Sequence, residues 1–243
     1  MLLYNSPDLQ FSTMNLQRST EKIVFCLLLI CLQTSLLKAE KTDTGNPRTS
    51  YTINEDWSFT PQGLAFGYRP LAKDPGAEII SLPHTWNTQD PFDGKYTYRR
   101  GISWYRKELV VSEKLKGKRL FLYFEGANQV SDVYINSVFV GQHKGGYTAF
   151  AVDITDYATF GREEPNLIAV QVDNSHDNHI PPLSVGYALY GGIYRDVRLI
   201  ATSPVHFKVS DHASSGIYIA TPEVSDKMAR VDVRGTLVNN TNE

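Results

Sequence analysis

The chain has 243 residues, a formal net charge of −2, 21% charged residues and 42% hydrophobic ones. That is a globular composition with room for a substantial core, and it excludes a disordered chain. Lys and Arg are scattered singly or in short pairs, which excludes a basic surface for nucleic acid or an anionic membrane.

The first forty residues read as an address rather than a fold. Arg18 and Lys22 precede the apolar run IVFCLLLICL, and Ala39 closes a short polar-flanked tail. This is the order of a secretory signal peptide, expected over residues 1–39. The apolar run falls short of the about 20 residues that a membrane span needs. Leu37 is a poor partner for cleavage after Ala39, so an uncleaved N-terminal anchor stands as the rival reading. Met14 is an alternative start to Met1. Both cysteines, Cys26 and Cys31, lie inside the apolar run. The mature part is therefore expected to hold no disulfide and no thiol chemistry. Cys31 as a lipid attachment site, and so a cell-surface anchor, is the lesser alternative, because the preceding Ile30 is bulky. An exported chain of this size without cysteine points to a periplasmic or secreted protein, with the membrane involved only through the signal segment.

Residues 40–50 are polar, carry Gly45 and Pro47, and are expected to form a linker. A first short strand is expected around Trp57 and Phe59, and a second at EIISLP, ended by Pro83. Residues 85–100 form a long aromatic and polar loop, of a length that in compact domains tends to be functional. SWYRKELVV then alternates, with Trp104, Arg106, Glu108 and Val110 on one face and Tyr105, Lys107, Leu109 and Val111 on the other. Trp104 is expected in the core, whereas Trp86 suits core and sugar stacking equally.

The densest pattern runs from Arg119 to Ile154. Leu120, Leu122 and Phe124 are expected to face one side of a strand, Phe121 and Tyr123 the other. Asn136-Ser137 separates DVYI from VFVG by the two residues of a hairpin turn. Asp132 and Asn136 are read as turn residues. Gly145-Gly146 breaks the next strand, and AFAVDI restarts the alternation. NLIAVQVDN is expected to be a strand with Leu167 and Ala169 inward. A second long polar loop follows at 175–185, then YGGIYRDV leads into VRLIA, with Arg195 and Asp196 read as a local ion pair. No helix of convincing length is expected after residue 39.

Short strands recurring between turn signals define the fold class: all-β, a jelly-roll or galactose-binding-like β-sandwich over residues 51–203. After Pro204 the texture changes, with one or two strands, a loop, and a strand from Ala229 to Val238. Residues 204–243 are too few for the about 100 of an immunoglobulin-like sandwich. They are expected to be the first strands of an incomplete one.

Several phrases in order carry a resemblance. Leu82-Pro83-His84-Thr85-Trp86-Asn87 is followed by Arg100-Gly101-Ile102-Ser103-Trp104-Tyr105-Arg106-Lys107. Then come Phe124-Glu125-Gly126 through Asp132-Val133-Tyr134-Ile135-Asn136, and Tyr190-Gly191-Gly192-Ile193-Tyr194-Arg195-Asp196-Val197. The set resembles the N-terminal half of a family 2 glycoside hydrolase, over roughly Trp57 to Ala201, and leans to the β-galactosidase branch. The resemblance implies a sugar-binding jelly roll that is non-catalytic, with the hydrolysis of O-glycosyl bonds done by two glutamates on a TIM barrel C-terminal to this chain. It implies a β-galactoside-like carbohydrate as ligand and no cofactor. It also implies two substrate-facing loops, Asn87 to Tyr98 and Asp173 to Tyr187, from which Asn87, Asp90, Asp173, Asn174, Asp177 and Tyr187 are taken as substrate-binding residues. Gly186 stands where that branch often carries an aspartate, so either a neighbour such as Asp173, Asn174 or Asp177 substitutes, or the substrate differs. Glu163-Glu164 is read as a solvated pair with no catalytic part, and the loop around His176 and His179 as a polar surface loop with no metal. A free-standing carbohydrate-binding module is the alternative function.

Overall fold

The computed structural model describes residues 47–62, 66–69, 76–95, 97–183 and 188–241. The expected signal segment lies outside them. Ten strands form two antiparallel sheets. In chain order they are β1 (Arg48–Thr52), β2 (Trp57–Thr60), β3 (Glu78–Ile80), β4 (Ile102–Leu109), β5 (Arg119–Phe124), β6 (Val130–Ile135), β7 (Val138–Lys144), β8 (Phe150–Asp153), β9 (Asn166–Asp173) and β10 (Val197–Thr202). The larger sheet runs β3-β2-β4-β9-β6-β7 and the smaller β1-β10-β5-β8. The only helical pieces among the described residues are two 3-10 turns, Asp90–Phe92 and Glu113–Leu115.

The core lies where the inner faces meet. From the larger sheet come Trp57, Phe59, Tyr105, Val133, Ile135, Ile168, Val170 and Val172, and from the smaller one Leu120, Leu122, Phe124, Val197 and Leu199. Period-two alternation therefore predicts β5 correctly: its three inward residues sit in this cluster, while Phe121 and Tyr123 pack in a second one on the outer face. Trp104 is buried, though on the outer face of the larger sheet, against Tyr134 at 5.8 Å between ring centroids. A Cβ on Gly67 would lie 2.5 Å from the Trp104 indole, so only glycine lets the 66–69 segment cover it so closely. At the β6–β7 hairpin Asn136 and Ser137 have φ of 49° and 73°, the two positive values of a type I′ turn.

Within the sandwich, four expectations need correction. The linker expected at 40–50 gives way to β1 from Arg48, which pairs residue for residue with β10 although its own sequence is polar. On β9, Leu167 and Ala169 are buried but point away from the main core. The register sets Tyr105 opposite Val170, which turns Ile168, Val170 and Val172 inward. Asp132 is mid-strand, opposite Gln142, whose amide it accepts at 2.7 Å, and it makes no turn. Asp196 pairs with Arg198 at 3.4 Å and with the Asn54 amide at 3.0 Å, not with its neighbour Arg195, which is exposed beside Tyr194.

Beyond β10 the chain forms two ribbons: β11 (Val205–Phe207) with β14 (Leu237–Asn239), and β12 (Ile217–Val224) with β13 (Ala229–Gly235). The single strand expected over Ala229 to Val238 is thus two strands with different partners. Val209, fully buried with Phe121 and Ile200, fastens this tail to the outer face of the smaller sheet. On the β12–β13 ribbon Ile217, Ile219, Val231 and Val233 share one exposed face. Arg230 on the other face pairs with Glu223 at 2.9 Å and Asp232 at 3.1 Å. An apolar face opposite a charged one is the pattern of one layer of a sandwich.

Candidate functional site

Strand ends and long loops meet at one end of the sandwich, and two buried asparagines tie them. Asn87, in the loop before β4, and Asn174, directly after β9, are both fully buried. The Asn87 amide donates to Asp90 Oδ2 at 2.9 Å and to the Arg99 carbonyl at 2.9 Å, and its Oδ1 accepts the Gly191 N–H at 2.7 Å. Asn174 Oδ1 accepts the Gly101 N–H at 2.8 Å, and its amide donates toward the Leu189 carbonyl at 3.3 Å. An amide side chain offers two donors and an acceptor from one planar group, which suits it to join three chain segments whose backbone has no ladder partner.

The six residues expected to bind substrate therefore fall into different positions. Asn87, Asp90 and Asn174 come together, yet the buried amides of Asn87 and Asn174 are engaged by the loops and position them. The Asp90 carboxylate takes the Asn87 amide and, at 2.6 Å, the Arg99 N–H. Asp173 accepts the Ser175 N–H at 2.8 Å, and Asp177 accepts the His179 N–H at 2.8 Å. That backbone bond, with the His179 ring at 3.1 Å, holds the Asp177 carboxyl below the usual carboxylate range. Tyr187, like Gly186, lies outside the described residues. Trp86 is half-buried, stacked on Phe59 at 6.1 Å and covered by the Arg99 guanidinium at 4.8 Å from its ring. Glu163 and Glu164 are exposed, and His176 and His179 bond within their own turn.

Beside this knot opens a pocket of about 470 Å³ lined by Thr85, Asn128, Tyr147, Ala188, Tyr190 and Tyr194. Sequence reasoning placed none of Asn128, Tyr147 or Tyr194 in a site. Gly145-Gly146 gave the one available signal: a Cβ on Gly146 would sit 2.3 Å from Asn128 Oδ1, so the glycine permits a close approach and not merely a turn.

Next to Thr85 in sequence, His84 has its Nδ1 2.8 Å from the Tyr105 hydroxyl and its ring 4.5 Å from that of Phe59. Burial lowers the His84 pKa and outweighs the opposing pull of Glu78; burial also lowers that of His143, stacked on Phe150 at 4.3 Å. The folded state thus prefers both rings neutral. The unfolded chain binds more protons between each lowered pKa and the ordinary value of about 6.5. Their contribution to stability is full above that value and is lost as pH falls through this window. The midpoint of thermal unfolding is expected to drop between pH 7.5 and pH 5.5, and the drop to shrink in His84→Gln. An equal drop in that variant would place the cause elsewhere.

Comparison with known proteins agrees with the all-β fold. The family model described as glycosyl hydrolases family 2, sugar binding domain, matches residues 71–204. A β-glucuronidase of Bacteroides fragilis is 37% identical over 222 residues, which are 91% of this chain and 30% of that protein. A β-galactosidase of Thermoanaerobacter pseudethanolicus is 39% identical over 192 residues, 78% of this chain and 25% of that protein. Among solved structures, a β-glucuronidase of Bacteroides uniformis superposes with a TM-score of 0.76 at 38% identity, covering 81% of this chain and 23% of the other. The chain thus spans less than a third of the length of the curated relatives it matches.

Proposed function

We infer, for a chain that belongs to glycosyl hydrolase family 2, that it serves as the exported, non-catalytic N-terminal portion of a β-galactosidase-like enzyme. Its sandwich holds loops against a carbohydrate while a TIM barrel C-terminal to it carries the acid and the nucleophile. A retaining glycosidase needs two carboxyl groups about 5 Å apart across the scissile bond. Asp90, Asp173 and Asp177 are each bonded to nearby backbone N–H groups, which fixes their carboxylates in place to accept hydrogen bonds from hydroxyls. The observation that supports the reading most is the asparagine knot, which fixes three loops in one place beside an open pocket. The apolar run at 23–32 and the absence of cysteine after Cys31 support export to the periplasm or beyond.

The test pairs activity with binding on the full chain. No p-nitrophenol is expected from aryl β-galactosides or β-glucuronides, while glycosides at roughly millimolar or higher concentration shift loop resonances in NMR spectra. Hydrolysis by the chain alone, lost on replacing one of its own carboxylates, would overturn the non-catalytic part. N-terminal sequencing of the product from an expressing bacterium tests export, with Glu40 expected as the first residue.

A further inference from the structure

We propose that the tyrosine-lined pocket is a subsite for a neutral pyranose ring, stacked on Tyr190, and that it disfavours uronic acids. The proposal rests on the carbohydrate role above and narrows its ligand class. The wall is drawn from several separate stretches of chain, and its about 470 Å³ lies within the range of small-molecule sites. Tyr147, Tyr190 and Tyr194 are among its described residues. The Tyr194 hydroxyl donates to the Gly146 carbonyl, and the Asn128 amide donates to the main-chain carbonyl of Tyr190 at 2.7 Å, which anchors the backbone that carries that ring. Thr85 Oγ1 donates to the Gly191 carbonyl at 2.7 Å, which secures the turn that carries Tyr190.

Tyr190 is 38% exposed, which leaves part of its ring accessible from the pocket. A pyranose presents a face of C–H groups that suits an aromatic ring, while its rim of hydroxyls stays hydrated or meets phenol and amide groups. Charge decides the class. No Lys, Arg, His, Asp or Glu is among the described residues of the wall. Arg195 lies beside Tyr194, 5.9 Å from the ring centroid, outside the wall. A uronate carboxylate seated there would lose water without gaining a counter-ion.

The experiment titrates the full chain, labelled at tyrosine, with methyl β-galactoside and with methyl β-glucuronide at one ionic strength. Methyl glycosides leave no aryl group to account for stacking. Saturable shifts of the Tyr147, Tyr190 and Tyr194 signals are expected with the galactoside. About tenfold weaker binding is expected for the glucuronide and for Tyr190→Ala, with Tyr190→Phe within about twofold of the parent. Equal affinity for both sugars, or galactoside binding unchanged in Tyr190→Ala, overturns the pocket assignment and leaves the loop reading standing. Failure of every glycoside to shift any loop or pocket signal overturns the carbohydrate role, and this inference with it.

Discussion

Gly192→Ala is expected to remove a large share of the stability of the sandwich. Gly192 has φ of +127°, a region that side chains bearing a Cβ rarely enter, at a cost of about 1–3 kcal/mol. A Cβ there would also lie 2.6 Å from the His84 carbonyl oxygen, 2.6 Å from the Tyr105 hydroxyl and 3.2 Å from the Thr85 Cα. None of these can swing aside. His84 N–H is bonded to the Ile193 carbonyl at 2.8 Å, and Tyr105 is fully buried. Gly192 itself exchanges bonds with Asn128, N–H to carbonyl, at 2.9 and 3.2 Å. Overpacking adds roughly 1–3 kcal/mol. The sum, about 2–6 kcal/mol, is a large share of a stability that for domains is typically about 5–15 kcal/mol. Thermal unfolding followed by near-ultraviolet circular dichroism should show a midpoint lower by roughly 10 °C or more. Gly101→Ala is the control: its φ is +130°, yet a Cβ there has nothing within 4 Å. It should lose the backbone term alone. Equal losses in the two variants would mean that the clash contributes nothing.

Those two glycines also show how far the sequence is legible. Tyr190-Gly191-Gly192 announces tight backbone by composition, but not which atoms approach. Gly191 lies against the Trp86 indole and Gly192 against His84, residues about a hundred positions earlier. Local alternation predicts β5 and the β6–β7 hairpin because each side chain's face follows from the strand it sits on. It fails for β1, whose RTSYT is polar and becomes a strand only because β10 accepts it. It fails again for the facing of Leu167 and Ala169, where every residue from Asn166 to Val170 is buried and period two carries no contrast. The asparagines are the harder case. In a polar loop Asn87 and Asn174 look like surface groups, and only the closed geometry shows their amides turned inward to orphaned backbone.

That inward turn makes Asn87→Asp a sensitive probe. The replacement keeps shape and volume but exchanges the amide donor for an oxygen. The new oxygen would face Asp90 Oδ2, now an amide partner at 2.9 Å, and the Arg99 carbonyl at 2.9 Å, both acceptors. An ionised carboxyl would thus meet a like charge, an unfavourable dipole and burial together, and all three raise its folded-state pKa. The unfolded chain would release that proton at an ordinary value near 3.9. The folded variant therefore retains a proton that the unfolded one has lost, so its stability falls as pH rises through the window between the two values. Protonated, the introduced group can still donate one hydrogen bond toward Asp90 or Arg99. Relative to the parent, the variant should be destabilised by a few kcal/mol at pH 7, with a smaller gap at pH 4.5. This trend is opposite in sign to the one expected from His84. Urea midpoints at the two pH values decide it. A gap that is constant, or larger at pH 4.5, would mean that the Asn87 amide does not donate to Asp90, and that another contact holds the loops together.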